Sequence, residues 1–306
     1  MVNTKRRGAP ACCRRPLCPE CVGGGRLNVK GVIVAAGYGT RFLPVTRCVP
    51  KEMLPLVDRP AIDFVVEEMV SAGISEILVI SSRRKKVMED WFDRDPELEG
   101  ALTASGKALD PVRPPAVKVT FVRQQRMGGT GDALRLAREF AGDDPVVVAY
   151  PDDLFPDFNP SQALIRQAER TGRSGLCAVD LGGCDVSRFG VLDVDPQTQQ
   201  LRRIVEKPPR GTEPSTLVSL GRYLFMPEFF TSLEEDLTRH TAGEFFHIGA
   251  IQALAETGRV DVVLAEGTRY DTGTPQGYLE ALVDVALRRE DVGPGLRAWL
   301  VERLQR

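Results

Sequence analysis

The chain has 306 residues, of which 42% are hydrophobic, 27% charged and 7% aromatic, as expected of a globular protein with one large or two modest domains. This excludes a mainly disordered chain, a collagen-like fibre and a small disulfide scaffold, and no run nears the ~18 uncharged apolar residues of a membrane helix. A net charge of -2 argues against a general nucleic-acid binder, and two histidines, His240 and His247, leave little for a His-rich metal site.

In chain order, residues 1–28 come first as a basic lead-in of net charge +5, against -7 for the rest. Cys12, Cys13, Cys18 and Cys21 all fall there, and their thiolates could hold zinc. Their crowding favours an unstructured extension, or a start codon upstream of a true beginning near Val29. The lead-in has no apolar h-region, so it is not a secretory signal, and the few remaining cysteines suit a reducing cytosol. The body, 29–306, divides at about residue 155 into two parts, the second ending in C-terminal helices.

Gly31 to Ala36 is an apolar run ending in a glycine-rich turn, the pattern of a buried parallel strand. Ala61 to Ala72 is amphipathic, with Ile62, Val65, Val66, Met69 and Val70 on one face and Gly73 as its stop. Strands follow at 76–80, 117–122 and 146–149, with helices at 85–92 and 131–140; the proline-rich passage 95–116 reads as a surface loop or weak helical insertion. Shorter strands at 175–179, 190–194, 201–205 and 217–225 give way to helices at 229–237, 244–256 and 275–288. The expected fold class is α/β, a Rossmann-like mixed, mostly parallel sheet flanked by helices. Ligands of such sheets bind beyond the carboxyl ends of the strands, here after Val34, Val122 and Ala149.

The first of these places carries Gly37-Tyr38-Gly39-Thr40-Arg41 and, further on, Pro50-Lys51-Glu52-Met53-Leu54-Pro55. A Gly-x-Gly turn lets backbone amides reach phosphate oxygens, and Arg41 and Lys51 add positive charge. A dinucleotide fingerprint fails, with Phe42 at its third glycine and Ser81 and Ser82 where an acid should end the second strand. A Walker A loop is absent. The second place carries Gln124 and Gly128-Gly129-Thr130-Gly131-Asp132. The third carries Asp152 and Asp153, two acids that a cation would stabilise together or that could act as loop or cap acids.

The string from Ala36 to Pro44, joined to Pro50–Leu56, resembles the signature of the sugar-1-phosphate nucleotidylyltransferase family. Its Pro-Lys-Glu-Met-Leu-Pro form resembles the bacterial UTP–glucose-1-phosphate uridylyltransferase branch, over Lys30 to about Leu300. The resemblance implies that Arg41 and Lys51 neutralise the triphosphate and departing pyrophosphate. It divides the body into a nucleotide-binding part, 29–155, and a sugar-phosphate-binding part with C-terminal helices, 156–306. Ala36, Gly37, Gly39, Thr40 and Glu52 would contact the nucleotide, Gln124, the Gly129 amide and backbone near Ala35 the uracil edge, and Asp153 the nucleotide sugar. Asp152, with Asp271 of Tyr270-Asp271-Thr272-Gly273, would bind Mg²⁺. Gly190 and Glu206 would bind the glucose and Lys207 its phosphate, for in-line attack on the α-phosphorus.

The chain departs from the family pattern at three places. Gln125 replaces a glycine, Gly-Thr-Gly-Asp at 129–132 replaces Gly-Leu-Gly-His, and 243–250 reads Gly-Glu-Phe-Phe-His-Ile-Gly-Ala for Gly-Glu-Ile-Gln-Leu-Thr-Asp-Ala. Cys48 reads as a small filler, and His247 as packed on a helix. The expected reaction joins UTP and glucose 1-phosphate, with Mg²⁺, in a cytoplasmic homo-oligomer (dimer or tetramer) without nucleic-acid or membrane partners. The alternatives are dTTP or another sugar 1-phosphate as substrate, or a nucleotidyltransferase-like binding protein without turnover.

Overall fold

The computed structural model describes residues 27–305, and the zinc alternative at Cys12, Cys13, Cys18 and Cys21 lies outside them. Three apolar runs and the half-polar edge segment Lys118–Arg123 form parallel strands β1 (Lys30–Val34), β2 (Glu76–Ser81), β3 (Lys118–Arg123) and β4 (Val146–Ala149), side by side in the order β4-β1-β2-β3. Successive side chains of a strand point to opposite faces, so a strand covered on both faces must be apolar throughout. Val32, Leu78, Ile80, Val146 and Val148 accordingly join one core, while Ile33, Val79, Val147 and Ala149 join the other.

The helices of this half are α1 (Ala61–Ser71), α2 (Lys86–Phe92), α3 (Pro96–Ala104), α4 (Thr130–Arg135) and α5 (Arg138–Ala141). The expected face of α1 is buried at Ile62, Val65, Val66 and Met69, but Val70 is exposed. The passage read as a loop or weak helical insertion holds a true helix, α3. Asp95 caps it by accepting from Leu98 N at 3.0 Å, and Pro96 opens it. The single helix expected at 131–140 is two, because the chain tightens at Leu136 and Ala137 into bonds to the carbonyls three residues back.

α6 (Pro160–Thr171) has no counterpart in the sequence reading, although Asn159-Pro160 is a readable start and Gly172 a readable stop. Asn159 accepts from Gln162 N at 2.8 Å, and Gly172 takes the left-handed conformation, φ 66°.

The second half brings β5 (Ser174–Asp180), β6 (Gly190–Val194), β7 (Leu201–Glu206), β8 (Leu217–Phe225) and β9 (Val260–Leu264). Strand β8 is the join: it runs antiparallel to β4, β5 and β6, while β7 pairs antiparallel with β6 and β9 parallel with β5. The result is one mixed nine-stranded sheet of the expected α/β class, parallel through its first half and antiparallel where β8 enters.

Helices α7 (Glu228–Arg239), α8 (Ile248–Glu256), α9 (Pro275–Arg288) and α10 (Gly293–Leu304) complete the layers. β9 and α10 were not foreseen, and α8 begins at Ile248 rather than at Glu244. Gly243 at φ 85° breaks the helix pattern, and residues 244–247 are drawn off to another task described below. Among the described residues, no helix is long and apolar enough to cross a membrane.

Candidate active site

The carboxyl ends of β1, β3 and β4 surround a cavity of about 290 Å³ whose lining includes Ala36, Gly37, Lys51, Glu52, Gln124, Gly129 and Asp152. Residues from three separate motifs thus meet in one hollow, as the topology of a parallel sheet requires. A larger cavity of about 650 Å³, between α1, the 154–159 turn and α9, holds none of the expected site residues.

At the first strand's end, Ala35 donates its amide to the Ile80 carbonyl at 2.8 Å, which keeps it in the sheet. Gly37 is exposed, and Gly39 adopts φ 67° at the start of a single turn, Thr40–Phe42. Thr40 and Arg41 are exposed, and the Arg41 guanidinium donates to the Gly273 carbonyl at 3.4 Å. A second short turn, Lys51–Met53, directs Lys51 Nζ to Asp152 Oδ2 at 2.6 Å. Burial works against the charge of both groups. Their mutual attraction prevails, holding Lys51 above and Asp152 below its ordinary pKa, so both stay ionised.

Behind Lys51 lies an ion pair that sequence reasoning missed. Glu52 is 2% exposed, and both of its oxygens accept from Lys85 Nζ at 2.7 Å. Burial, the largest influence on Lys85, pulls its pKa below the usual lysine value despite Glu52. Lys85 lies in the turn beyond the carboxyl end of β2, the position rule that could have flagged it. Within the run Arg83-Arg84-Lys85-Lys86 it reads as surface charge instead.

Asp152 and Asp271 are brought together by a two-residue antiparallel ribbon, in which Asp271 lies opposite Asp153. Gly273 stands between the carboxylates: a Cβ there would come 2.7 Å from Asp152 Oδ2 and 3.0 Å from Asp271 Oδ1. That glycine keeps open a cradle bordered by two carboxylate oxygens, the donor chemistry a hard divalent cation takes. Among the described residues no group of three or more His, Cys, Asp and Glu side chains has metal-holding geometry. Asp153 is not part of the cradle. Its carboxylate is buried and accepts from Arg269 and from the Gly221 amide at 2.9 Å.

On the base side, Gln124 Nε2 donates to the Gly129 carbonyl at 3.2 Å and to Asp132 Oδ2 at 2.9 Å. Asp132 is thus the partner of the buried Gln124. Gly129 has φ 100°, and a Cβ there would lie 2.3 Å from the Phe245 carbonyl oxygen. The close approach is real bonding: Phe245 N donates to the Gly128 carbonyl at 2.7 Å and Gly131 N to the Phe245 carbonyl at 2.9 Å. The atypical 243–250 segment is therefore stitched to the glycine turn, and Glu244 and Phe246 line the cavity. A Cβ at Gly249 would come 2.1 Å from Asp236 Oδ2, so a side chain there requires the Asp236 carboxylate to move.

His247 is buried, with Nδ1 2.7 Å from Thr130 Oγ1 and its ring against Tyr150, Tyr223 and Phe225. Burial lowers its pKa to about 4, so the ring is neutral near pH 7. Cys48 is exposed rather than the small filler expected from sequence, because its short turn (Val45–Arg47) lies on the surface.

The sugar-side residues form a second group on neighbouring strands. Gly190 of β6 is register partner to Glu206 of β7, and a Cβ at 190 would come 3.1 Å from Glu206 Oε2. Lys207 Nζ lies 3.3 Å from Glu206 Oε1, with its side chain 62% exposed. Its backbone takes φ 48°, a conformation that costs a non-glycine residue energy and concentrates at functional sites.

The model of the family described as Nucleotidyl transferase matches residues 30–287. The chain is 38% identical over 271 residues to a UTP–glucose-1-phosphate uridylyltransferase of Bacillus subtilis, spanning 86% of this chain and 92% of that protein. A Staphylococcus epidermidis protein of the same name is 36% identical over 280 residues, 89% of this chain and 96% of its own. Among solved structures, a UTP-bound UGPase from Acinetobacter baumannii matches with TM-score 0.82 at 31% identity, covering 90% of this chain and 99% of that one. A UDP-glucose pyrophosphorylase complexed with UDP-glucose matches with TM-score 0.74 at 30% identity, covering 86% and 100%.

Proposed function

The chain belongs to the nucleotidyl transferase family, and from that premise we propose that it is a UTP–glucose-1-phosphate uridylyltransferase, forming UDP-glucose and pyrophosphate. The observation that carries this reading is the meeting of Lys51, Asp152, Gln124 and Gly129 in one cavity, with Asp271 across the Gly273 cradle. The sugar phosphate oxygen attacks the α-phosphorus of UTP, an O–P bond forms, and the bond to the departing β-phosphate breaks. The acceptor phosphate is already ionised, so no side chain must remove a proton. The work left to the protein is placement and charge.

The amides around Ala36, Gly37, Gly39 and Thr40 receive the phosphates, and Arg41 and Lys51 offset the charge of the leaving pyrophosphate. Gln124 and the Gly129 main chain meet the uracil edge, Ala35 lies at that side of the site, and Glu52, neutralised by Lys85, lies beside Lys51 on the nucleotide side. Glu206 accepts from sugar hydroxyls that Gly190 lets approach, while Lys207 holds the sugar phosphate. Asp153 keeps its place near the nucleotide sugar through Arg269. Asp152 and Asp271 suit Mg²⁺, with phosphate and water completing the shell; when bound, it would stabilise the charge of the phosphates.

The same reading includes a cytoplasmic homo-oligomer. The free thiols of Cys48, Cys177 and Cys184 fit a reducing compartment. Pyrophosphate release, measured with Mg²⁺ over all pairs of nucleoside triphosphates and sugar 1-phosphates, tests the assignment. UTP with glucose 1-phosphate should give the highest kcat/KM. A higher value with dTTP or another sugar phosphate would move the specificity, and no release with any pair would remove the enzyme reading. Asp152→Asn should lower kcat about 100- to 1,000-fold with the fold retained.

A further inference from the structure

Arg222 stands inside an apolar stretch of β8, Leu220 to Phe225, and is fully buried. All five of its N–H groups are used. On one side Nε donates to Glu68 Oε1 and Oε2 at 3.0 and 3.2 Å, and Nη2 to Glu68 Oε2 at 2.9 Å. On the other side Nη1 donates to the carbonyls of Tyr150 and Gly221 at 2.8 and 3.0 Å, and Nη2 to the carbonyl of Asp153 at 2.8 Å.

The carbonyls of Tyr150 and Asp153 bracket Asp152. The carbonyl of Asp152 itself accepts from Thr272 N at 2.7 Å and Thr272 Oγ1 at 3.0 Å, one residue along from Asp271. The carbonyls of Tyr150 and Asp153 are therefore tied to Arg222, and that of Asp152 to the residue that follows Asp271. A charge balance for Glu68 alone would need only one cationic atom. The three carbonyl contacts use the planar spread of a guanidinium, which the point charge of a lysine cannot reproduce.

We propose that Arg222, together with Thr272, is a positioning residue for the two-carboxylate cradle: it sets the Asp152 main chain so that its carboxylate stays opposite that of Asp271. The inference rests on the metal role given to those aspartates above. Neither Arg222 nor Thr272 lines the 290 Å³ cavity, so their effect runs through Asp152.

The test uses Mn²⁺ as probe, titrated by electron paramagnetic resonance into the whole protein with UTP present and no sugar phosphate. Arg222→Lys should weaken Mn²⁺ binding about tenfold or more, the scale of losses when a group orienting a metal ligand is removed. The metal concentration for half-maximal pyrophosphate release should rise by the same factor, with KM for glucose 1-phosphate within about twofold. Thr272→Val, which removes one hydroxyl bond, should weaken Mn²⁺ about fivefold. Glu68→Gln, on the far side of the guanidinium, should lower the melting temperature yet leave Mn²⁺ affinity within about twofold.

Normal Mn²⁺ affinity in Arg222→Lys, or an equal loss in Glu68→Gln, overturns the proposal. If Arg222→Lys does not fold, Thr272→Val decides alone, and unchanged Mn²⁺ affinity there overturns it. Asp152→Asn and Asp271→Asn are the controls. Normal Mn²⁺ binding in both would remove the metal reading itself, whatever Arg222 does, and a loss confined to them would remove only the positioning role.

Discussion

Lys51 sits inside a row of alternating charges, with Asp152 before it and Glu52 and Lys85 behind. Removing Lys85 would strand the Glu52 carboxylate in a buried place, with Lys51 as its nearest remaining cation. A stranded buried charge is costly, whereas removing both partners together is close to neutral. Lys85→Met should therefore weaken UTP binding about tenfold by calorimetry, as Glu52 draws Lys51 away from the phosphates. The double variant Lys85→Met/Glu52→Gln should recover to within about threefold of the native chain. Failure of the double to recover would mean that Lys85 acts on the nucleotide directly. His247 offers a second test at this scale. With a pKa near 4 when folded and about 6.5 when unfolded, it binds its proton more readily in the unfolded chain. Its contribution is thus complete above pH 6.5 and fades as the pH falls toward 4, by up to about 3 kcal/mol. His247→Leu should flatten the urea-denaturation stability of the chain between those pH values relative to the native protein; an unchanged slope would refute it. The chemical motifs were legible because unusual residue types sit at strand ends. Lys85, Arg222 and the Thr130–His247 pair were not, because each acquires meaning only through a partner far along the chain.

Elements were legible where one periodicity persisted and obscure where a short signal had to carry the reading. The helix α1 and strands β1, β2 and β4 each bury an unbroken apolar pattern, and sequence reading placed them within a residue or two. The helix α6 has a mean polarity that hides it, yet its ends are plainly marked. Asn159 caps α6 and also donates to the Glu68 carbonyl at 2.9 Å and Ser71 Oγ at 2.9 Å, fastening α6 to the end of α1. Asn159→Ala should therefore cost about 2 kcal/mol, the upper end for a lost cap, read as a shift in the urea midpoint at unchanged slope. A loss below about 0.5 kcal/mol would show that the α1 contacts are made equally well by water. The segment before α8 failed as a helix for a different reason. Its backbone pairs with the glycine turn of the base side, and this exchange of helical bonds for site bonds has no periodicity to announce it. Gly129→Ala, pushing on the Phe245 carbonyl, should raise KM for UTP about tenfold while leaving KM for glucose 1-phosphate within about twofold. Equal rises in both would place the turn's influence on the whole site.

At the scale of the molecule, the alternation of strands and helices in 30–150 announced a parallel sheet, and the carboxyl-edge rule then located the cavity. The antiparallel half was harder to see, since β8 pairs with three strands at once and no local pattern encodes that. Net charge misled most: the chain carries -2 overall, yet both substrates it is read to bind are anions. Placement resolves this, because the cations that matter are few and set at different depths. Lys51 is 20% exposed and enclosed by Asp152 and Glu52, whereas Lys207 is 62% exposed at the rim of the sheet. Salt screens exposed charges strongly and buried ones little. Raising ionic strength from about 50 to about 500 mM at saturating Mg²⁺ should therefore raise KM for glucose 1-phosphate about threefold or more, but KM for UTP less than about twofold. Initial rates of pyrophosphate release, varied over each substrate in turn, separate the two. A parallel rise in both constants would mean that the field of the whole surface, rather than a few placed cations, brings the phosphates in.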